Sequence, residues 1–416
     1  MQVTIFEGRA THNFSPLTLT RPCFTLLLGA QTLLTSLLDS LATSRYSLLV
    51  RDHLVDTTKA HLSVDVNSFE KDEEALLVNG LAKPWMKDFH KMLRKKERFA
   101  AMDDGNLVLA KVVGRELDGN LSPTNIDGKF RRMHNKYELS SGLWKYPWEL
   151  IEDNSEAISR QFALKSDRMQ VEASNVLGST KQVSIDGEAT IEPNVVFDTR
   201  FGPITVEQEA EIQSFSRVVG PAYIGKQTII RSALVGKGTS IADQCRIGGE
   251  VEQSLFSRYS NKAHSGFFGH SYVGEWVNVG ALTANSDLKN TYGTVRMNFQ
   301  GEKVDSGLLK VGCFLGDYCK TSIGTQIYTG IRAGVCSHLH GFVSEDVPSF
   351  TIYAKTLGSK LTELELDSAI ETQRRMMRRR HIKPEHHDIE LLRRVFELTQ
   401  SERYMAGVLK TQFSLG

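Results

Sequence analysis

Aliphatic residues recur every six positions through the middle of the chain. From about residue 183 the runs are Ile185, Ile191, Phe197; then Val206, Ile212, Val218, Ile224, Ile230; then Val235, Ile241, Ile247; and, after an interruption, Val273 and Val279. A fifth run reads Val311, Ile323, Thr329 and Val335, with Asp317 breaking it. The next residue is often Gly, Ala, Asp or Glu, as at Gly225, Gly236, Gly248 and Gly274. Four positions after the aliphatic one comes a small or short residue, such as Ala189, Ala210, Ser216, Thr228 or Cys245. A period of six fits neither a strand nor a helix. It predicts a left-handed parallel β-helix, in which one hexapeptide makes a flat face and three faces make a triangular coil. The aliphatic and the small residue both point into the narrow interior. The residue after the aliphatic one is expected to ease the turn, since positive φ costs Gly little. Coils stack at the strand spacing of about 4.8 Å. Two breaks interrupt the pattern. Gly202-Pro203-Ile204 shifts the phase by three residues, and a longer stretch, about 284–308, must leave the stack as a loop or arm. Loops leaving a rigid scaffold often carry function.

The flanks lack the repeat. Over 1–165, short strands (Val3 to Phe6, Tyr46 to Val50, Ala75 to Val78, Leu107 to Ala110) alternate with helical patterns, which predicts an α/β domain. A linking helix is expected over 148–164. The β-helix domain is expected over 180–352, and a helical C-terminal tail over 358–416, as two segments at 360–381 and 385–402 broken near Pro384. Arg374, Arg375, Arg378, Arg379 and Arg380 cluster in the first segment. They read as a solvated face or an intersubunit salt-bridge strip, with an anion-binding face as the alternative.

Composition narrows the function. The 416 residues leave room for two or three domains. Lys plus Arg is 50 against 49 for Asp plus Glu, a net charge of +1, so no general field favours nucleic acid or an anionic membrane. The apolar stretch 23–38 is too short and interrupted to span a bilayer and lacks signal-peptide flanks. Five cysteines with no C-x-x-C pair argue against a disulfide framework and fit a reducing cytoplasm.

Candidate chemistry gathers beside the long break. Two histidines, His264 and His270, several amides and lysines fall within about thirty residues there. Acyl transfer from a thioester to an amine needs a neutral imidazole as base and a backbone N–H or amide for the oxyanion. Cationic groups then hold sugar and coenzyme phosphates. His264 is the candidate base, Asn278 orients the acceptor amine, and the Gly280–Ala281 backbone lines the thioester slot. Lys262, Lys289 and Lys320 are candidate phosphate contacts, and Asn285 a substrate contact.

The stretch KAHSGFFGHSYVGEWVNVGALTANSDLKNTYG, from Lys262, is similar to the active-site block of the GlmU family, bifunctional enzymes that make UDP-N-acetylglucosamine. The chain resembles more closely the divergent bacterial branch of sugar nucleotidyltransferases. GGEVEQSLFSRYSNKAHSGF at 248–267, GDYCKTSIGTQIYTG at 316–330, TLTRP at 18–22 and YPWELIEDNSEAI at 146–158 carry that likeness. The resemblance implies His264 as general base, Asn278 as an acceptor contact and Ala281 as a coenzyme A contact. Where the family has a tyrosine, this chain has Phe267 and lacks the hydroxyl. For the first domain it implies a nucleotidyltransferase-like fold whose loop holds a triphosphate, with Mg²⁺ for the transfer. The frame PLTLTRP survives at 16–22, but the loop has one glycine, Gly8, and the expected lysine is Cys23. Arg9 and Arg21 are the candidate phosphate ligands, since Arg holds phosphate bidentately, with a structural salt bridge as the alternative for Arg21. The expected Gly-Asp pair is Asn79-Gly80-Leu81, and leucine cannot bind magnesium. Asp103 and Asp104 remain as substitutes.

The expected function is therefore a sugar-nucleotide transferase. The β-helix would acetylate an amino sugar 1-phosphate, glucosamine-1-phosphate-like, from acetyl-CoA, and the first domain would couple the product to a nucleoside triphosphate. Retention of only one activity is the alternative. A metal lyase of the carbonic anhydrase kind, using His264, His270, His338 and His340, and a non-catalytic scaffold are the readings from other classes. The resemblance also implies a homotrimer with the acyl site between subunits.

Overall fold

The computed structural model describes residues 2–68, 74–114, 121–163, 169, 172–299 and 301–413. Two compact units emerge. One comprises Met1–Leu26, Gln31–Pro147 and Pro384–Val395, and the other Leu27–Ala30, Trp148–Lys383 and Phe396–Gly416. The expected tail is thus divided between them. The expected domain end at 165 and the last three residues lie outside the described residues. Among the described residues no helix is long and apolar enough to cross a membrane.

The first unit is built on a mixed sheet of seven strands. These are β1 (Gln2–Phe6), β2 (Tyr46–Leu49), β3 (Asp65–Val66), β4 (Glu74–Asn79), β5 (Phe99–Asp103), β6 (Asn106–Val113) and β7 (Lys136–Glu138), in the order β3-β2-β1-β4-β6-β5-β7. All four strands read from sequence are present. β1 runs parallel to β2 and to β4, and β4 pairs antiparallel with β6. Helices α1 (Leu33–Leu41), α2 (Val55–Leu62), α3 (Lys87–Leu93) and α4 (Ile126–Phe130) connect them. From β1 the chain builds to one side through β2 and β3, then returns to place β4 on the other side. The carboxyl ends of β1 and β4 therefore flank a point where strand order reverses. Open α/β sheets bind ligands at such a point.

The second unit is a three-sided parallel β-helix with a helix at each end of its sequence. One interior column runs Ile185, Val206, Ile224, Ile241, Phe256, Val273, Leu315, Ala333. A second runs Ile191, Ile212, Ile230, Ile247, Lys262, and resumes at Thr321, Leu339, Tyr353. A third runs Phe197, Val218, Val235, Val251, Phe268, then Asn285, Ile327, Val343. Almost all of these side chains are fully buried. Each aliphatic one contributes about 1.5–3 kcal/mol by leaving water.

Two expectations about the repeat are corrected. The fifth run has a different phase: Leu315, Thr321, Ile327, Ala333 and Leu339 face inward, each with its small or apolar partner two residues earlier. Ile323 is 79% exposed, while Val311 and Val335 are buried outside the columns. The glycine after the aliphatic residue does not serve the turn either. Left-handed backbone falls three residues after the aliphatic one, at Glu209, Gln227, Gln244, Tyr259, Trp276 and Tyr318, with φ of 54–66°. Gly225 is needed for closeness instead, because a Cβ there would lie 2.6 Å from the carbonyl carbon of Ala242 in the next coil.

The long break does leave the stack. After Asn285 the chain forms an antiparallel hairpin, Arg296–Phe299 with Glu302–Asp305, and rejoins the coils at Phe314. Phe299 packs edge-on to Trp148, with ring centroids 5.5 Å apart, and Arg332 lies 4.6 Å over the Phe299 ring. Helix α5 (Pro147–Gln161) is tied to the coils by Asn154, which donates to Gly238 O at 2.8 Å and accepts from Gly29 N at 2.7 Å. Helices α6 (Leu366–Arg378), α7 (His386–Leu398) and α8 (Gln400–Met405) complete the chain. α6 buries Ala369, Ile370, Gln373 and Met377.

Candidate functional sites

In the first unit, Glu7-Gly8-Arg9 leaves β1 beside Asn79-Gly80-Leu81 leaving β4. Phe6 and Asn79 are in register, and Gly80 N donates to Phe6 O at 2.8 Å. A Cβ at Gly8 would sit 2.8 Å from the side-chain amide of Asn79, so the two turns lie close together. Glu7, fully buried, organises the loop. Its carboxylate receives Arg51 Nε at 3.0 Å and Nη2 at 2.9 Å, and the backbone N–H of Cys23 at 3.0 Å. Arg51 then donates to Thr18 O and Arg21 O, holding the PLTLTRP segment in place. His53 Nε2 lies 3.0 Å from Leu19 O; burial, then the charge of Arg51, pushes its pKa down to about 4, so the ring is a neutral donor. Arg9 is exposed at this end of the sheet, and Arg21 is half-buried.

The residues present do not fit a magnesium ion. Leu81 is fully buried, and Cys23 is a buried thiol whose pKa burial raises. Asp103 gives one oxygen to Lys145 at 3.0 Å and the other to Leu143 N at 3.1 Å. Asp127, next to Gly8, is occupied by Arg9 N at 2.9 Å and Leu107 N at 2.7 Å. Asp104 is 83% exposed, with Lys145 3.6 Å away. Both substitutes expected from the sequence are thus engaged by Lys145.

In the β-helix, His264 is exposed at the corner between the second and third columns. Leu282 N donates to Ser265 O at 3.0 Å, so this corner stacks directly on that of Gly280 and Ala281. Gly280 is forced by packing, since its Cβ would lie 2.5 Å from Ser322 O. Its N–H is committed to Thr321 Oγ1 at 2.8 Å, whereas the N–H of Ala281 faces no acceptor among the described residues. Asn278 is exposed on the same coil and bridges Asn261 and Lys320 through its backbone. A groove of about 510 Å³ opens beside His264, lined among others by Arg217, Leu234, Glu250, Ser265 and Phe267. Buried Asp198 fixes its arginine by accepting from Arg217 Nη2 at 2.6 Å.

Two expected ligand contacts, Lys262 and Asn285, are corrected. Lys262 occupies an interior slot at 1% exposure, its ammonium donating to Gly248 O at 2.8 Å and His264 O at 2.9 Å, so it cannot reach a ligand. Asn285 is also interior; its amide exchanges hydrogen bonds with the backbone of Gly269. Lys289 donates to Thr294 O at 3.0 Å within the arm. Lys320 is half-buried, donates to Tyr318 O, and its pKa is lowered by burial. The four histidines of the metal-lyase reading do not converge among the described residues; His270 is instead paired with Asp287 at 2.7 Å at the root of the arm.

A cationic strip escaped sequence reasoning. Arg246, Asn261, Asn278 and Lys320 lie in register on successive coils, and Arg380, just past α6, donates to Asn261 Oδ1 at 2.7 Å. Burial, and then repulsion from Arg380, lowers the pKa of Arg246, and burial lowers that of Arg380. The arginine run was visible in sequence; its partner coil was not.

Residues 3–169 match the family model described as sugar nucleotidyl transferase. A bifunctional sugar-1-phosphate nucleotidylyltransferase/acetyltransferase of Sulfurisphaera tokodaii is 31% identical over 156 residues, 35% of this chain and 38% of that protein. Bifunctional protein GlmU of Burkholderia vietnamiensis is 29% identical over 142 residues, 31% of each chain. The GlmU of Methanocaldococcus jannaschii is 23% identical over 210 residues, 47% of this chain and 43% of that one. The chain thus matches less than half the length of these relatives. Among solved structures, a UDP-N-acetylglucosamine acyltransferase of Francisella novicida aligns at TM-score 0.34 and 14% identity, over 55% of this chain and 78% of that one.

Proposed function

We propose, from the sugar nucleotidyl transferase domain matched over residues 3–169, that the chain is a two-domain transferase of sugar-nucleotide synthesis. The β-helix transfers an acetyl group from acetyl-CoA to the amine of an amino sugar 1-phosphate. The first domain transfers a nucleotidyl group from a nucleoside triphosphate onto the sugar phosphate, releasing pyrophosphate and giving a product of the UDP-N-acetylglucosamine kind. The observation that carries the acyl half is the corner where exposed His264 stacks one coil from the unpaired N–H of Ala281. His264 takes a proton from the attacking amine as the N–C bond forms. The Ala281 N–H donates to the thioester oxygen as it gains charge. The C–S bond then breaks, and the imidazolium returns the proton to the thiolate. Asn278 orients the amine, and Lys320, Arg246 and Arg380 hold phosphate. In the first domain Arg9 and Arg21 hold the triphosphate at the β1/β4 switch point.

A homotrimer working in the cytoplasm belongs to this reading. Phe215, Leu282, Ile323 and Phe342 are all more than half exposed, and each follows by two or three positions a second-column residue or, for Leu282, Val279, which stands in that column between Lys262 and Thr321. They line the same corner as His264, an apolar edge that a second copy covers.

The test is thiol release from acetyl-CoA with glucosamine-1-phosphate as acceptor. His264→Ala is expected to lose on the order of a hundredfold or more in rate while staying folded. Folded wild-type protein that releases no thiol with any of a panel of amino sugar phosphates would sink the acyl half.

A further inference from the structure

A histidine group lies in the first unit, among residues not named in either site above. His61 closes α2, and His387 and Asp388 open α7. His61 Nε2 is 3.3 Å from His387 Nε2 and 3.2 Å from Asp388 Oδ1, and His387 Nε2 is 3.6 Å from the same oxygen. Three donor atoms therefore form a nearly equilateral triangle. A tetrahedral ion with ligands at about 2.0–2.1 Å has edges of about 3.3–3.4 Å. The observed edges bracket that value. The second oxygen of Asp388 accepts Glu385 N at 3.0 Å, which turns the first toward both imidazoles. Such support of a ligand from outside the site is what metal carboxylates commonly have. Two imidazole nitrogens and one carboxylate are a borderline-soft donor set, suited to zinc rather than to magnesium or calcium.

We propose that His61, His387 and Asp388 bind one zinc-class divalent ion, which clips α7 onto α2. The ion takes three ligands from the protein. His61 is 59% exposed, so the fourth position opens to water. α7 already buries Leu391, Leu392 and Val395, and the ion fixes the end of the helix that this apolar face leaves free. The clip is structural and independent of acyl or nucleotidyl transfer.

The experiment uses the full chain without an affinity tag, stripped by chelator and dialysed. Zinc or cobalt is added, and bound metal is counted by mass spectrometry after gel filtration. One ion per chain is expected, with the visible absorption of four-coordinate cobalt and a higher thermal midpoint. His61→Ala and His387→Ala should each weaken binding at least tenfold and abolish the midpoint shift. His134→Ala, an exposed histidine outside the group, should change neither. Because His61 is largely exposed, its variant should keep the metal-free midpoint, which separates lost binding from lost folding. Wild-type protein that holds no ion at micromolar free zinc overturns the proposal, and so does equal affinity in both histidine variants.

Discussion

Lys262 fills an interior slot that Ile230, Ile247 and Leu339 fill elsewhere in the same column. Removal from water, only partly offset by Glu250, pushes its pKa down to about 8. The unfolded chain restores a value near 10.4. Between those values the unfolded state holds a proton that the folded state has lost, so stability rises with pH across the window. The wild type should gain stability relative to Lys262→Met between pH 8 and 10, as read by urea midpoints; parallel profiles would contradict a buried ammonium. His53 works at the acid end. Its folded value of about 4 lies below the ordinary 6.5, so its stabilising neutral form is lost as pH falls from 6.5 toward 4. His53→Gln should flatten that acid slope, measured in the same way. Neither shift was legible in the sequence, where Lys262 read as a candidate phosphate contact. Burial came from neighbours 14 to 34 residues away, Gly248 and Leu19.

At the scale of elements, the repeat itself was legible because its interior admits only a few side-chain shapes. What the repeat's glycines do was not. Gly225→Ala should destabilise by about 1–3 kcal/mol, since its Cβ meets backbone that cannot yield. Gln244→Gly removes a left-handed non-glycine residue, with φ of 59°, and should be neutral or slightly stabilising. Thermal melts of the two variants decide between closeness and turn geometry; the opposite order would restore the turn reading. The phase error after the arm has a similar origin. Val311 and Ile323 are aliphatic, but the inward partners Cys313 and Cys319 mark Leu315 and Thr321 as the true interior. The arm was predicted only as a departure from the stack. Its anchor, His270 to Asp287, joins residues on different coils. Asp287→Asn should cost about 1.5–3 kcal/mol and expose the hairpin to protease first, because a charged hydrogen bond is lost in a buried setting.

For the whole molecule, the apolar corner of Phe215, Leu282, Ile323 and Phe342 makes an assembly prediction. Ile323→Glu places a charge where a second copy would pack, and burying an unpaired charge is costly. Sedimentation should find a trimer for the wild type and a folded monomer for the variant, with acyl transfer lost alongside. A monomeric wild type would remove the shared site. The sequence by itself determined the β-helix, its interruptions, the α/β character of the first domain and the corner that holds His264. All of these follow from local periodicity and turn chemistry. The tertiary structure alone decided that Lys262 faces carbonyls, that the acidic substitutes for a magnesium ligand are already paired with Lys145, and that Arg380 meets Asn261. It also brought His61 to His387, 326 residues away. Those facts depend on stacking register and helix docking, which place side chains by contacts distant in the chain, and local pattern carries no record of such contacts.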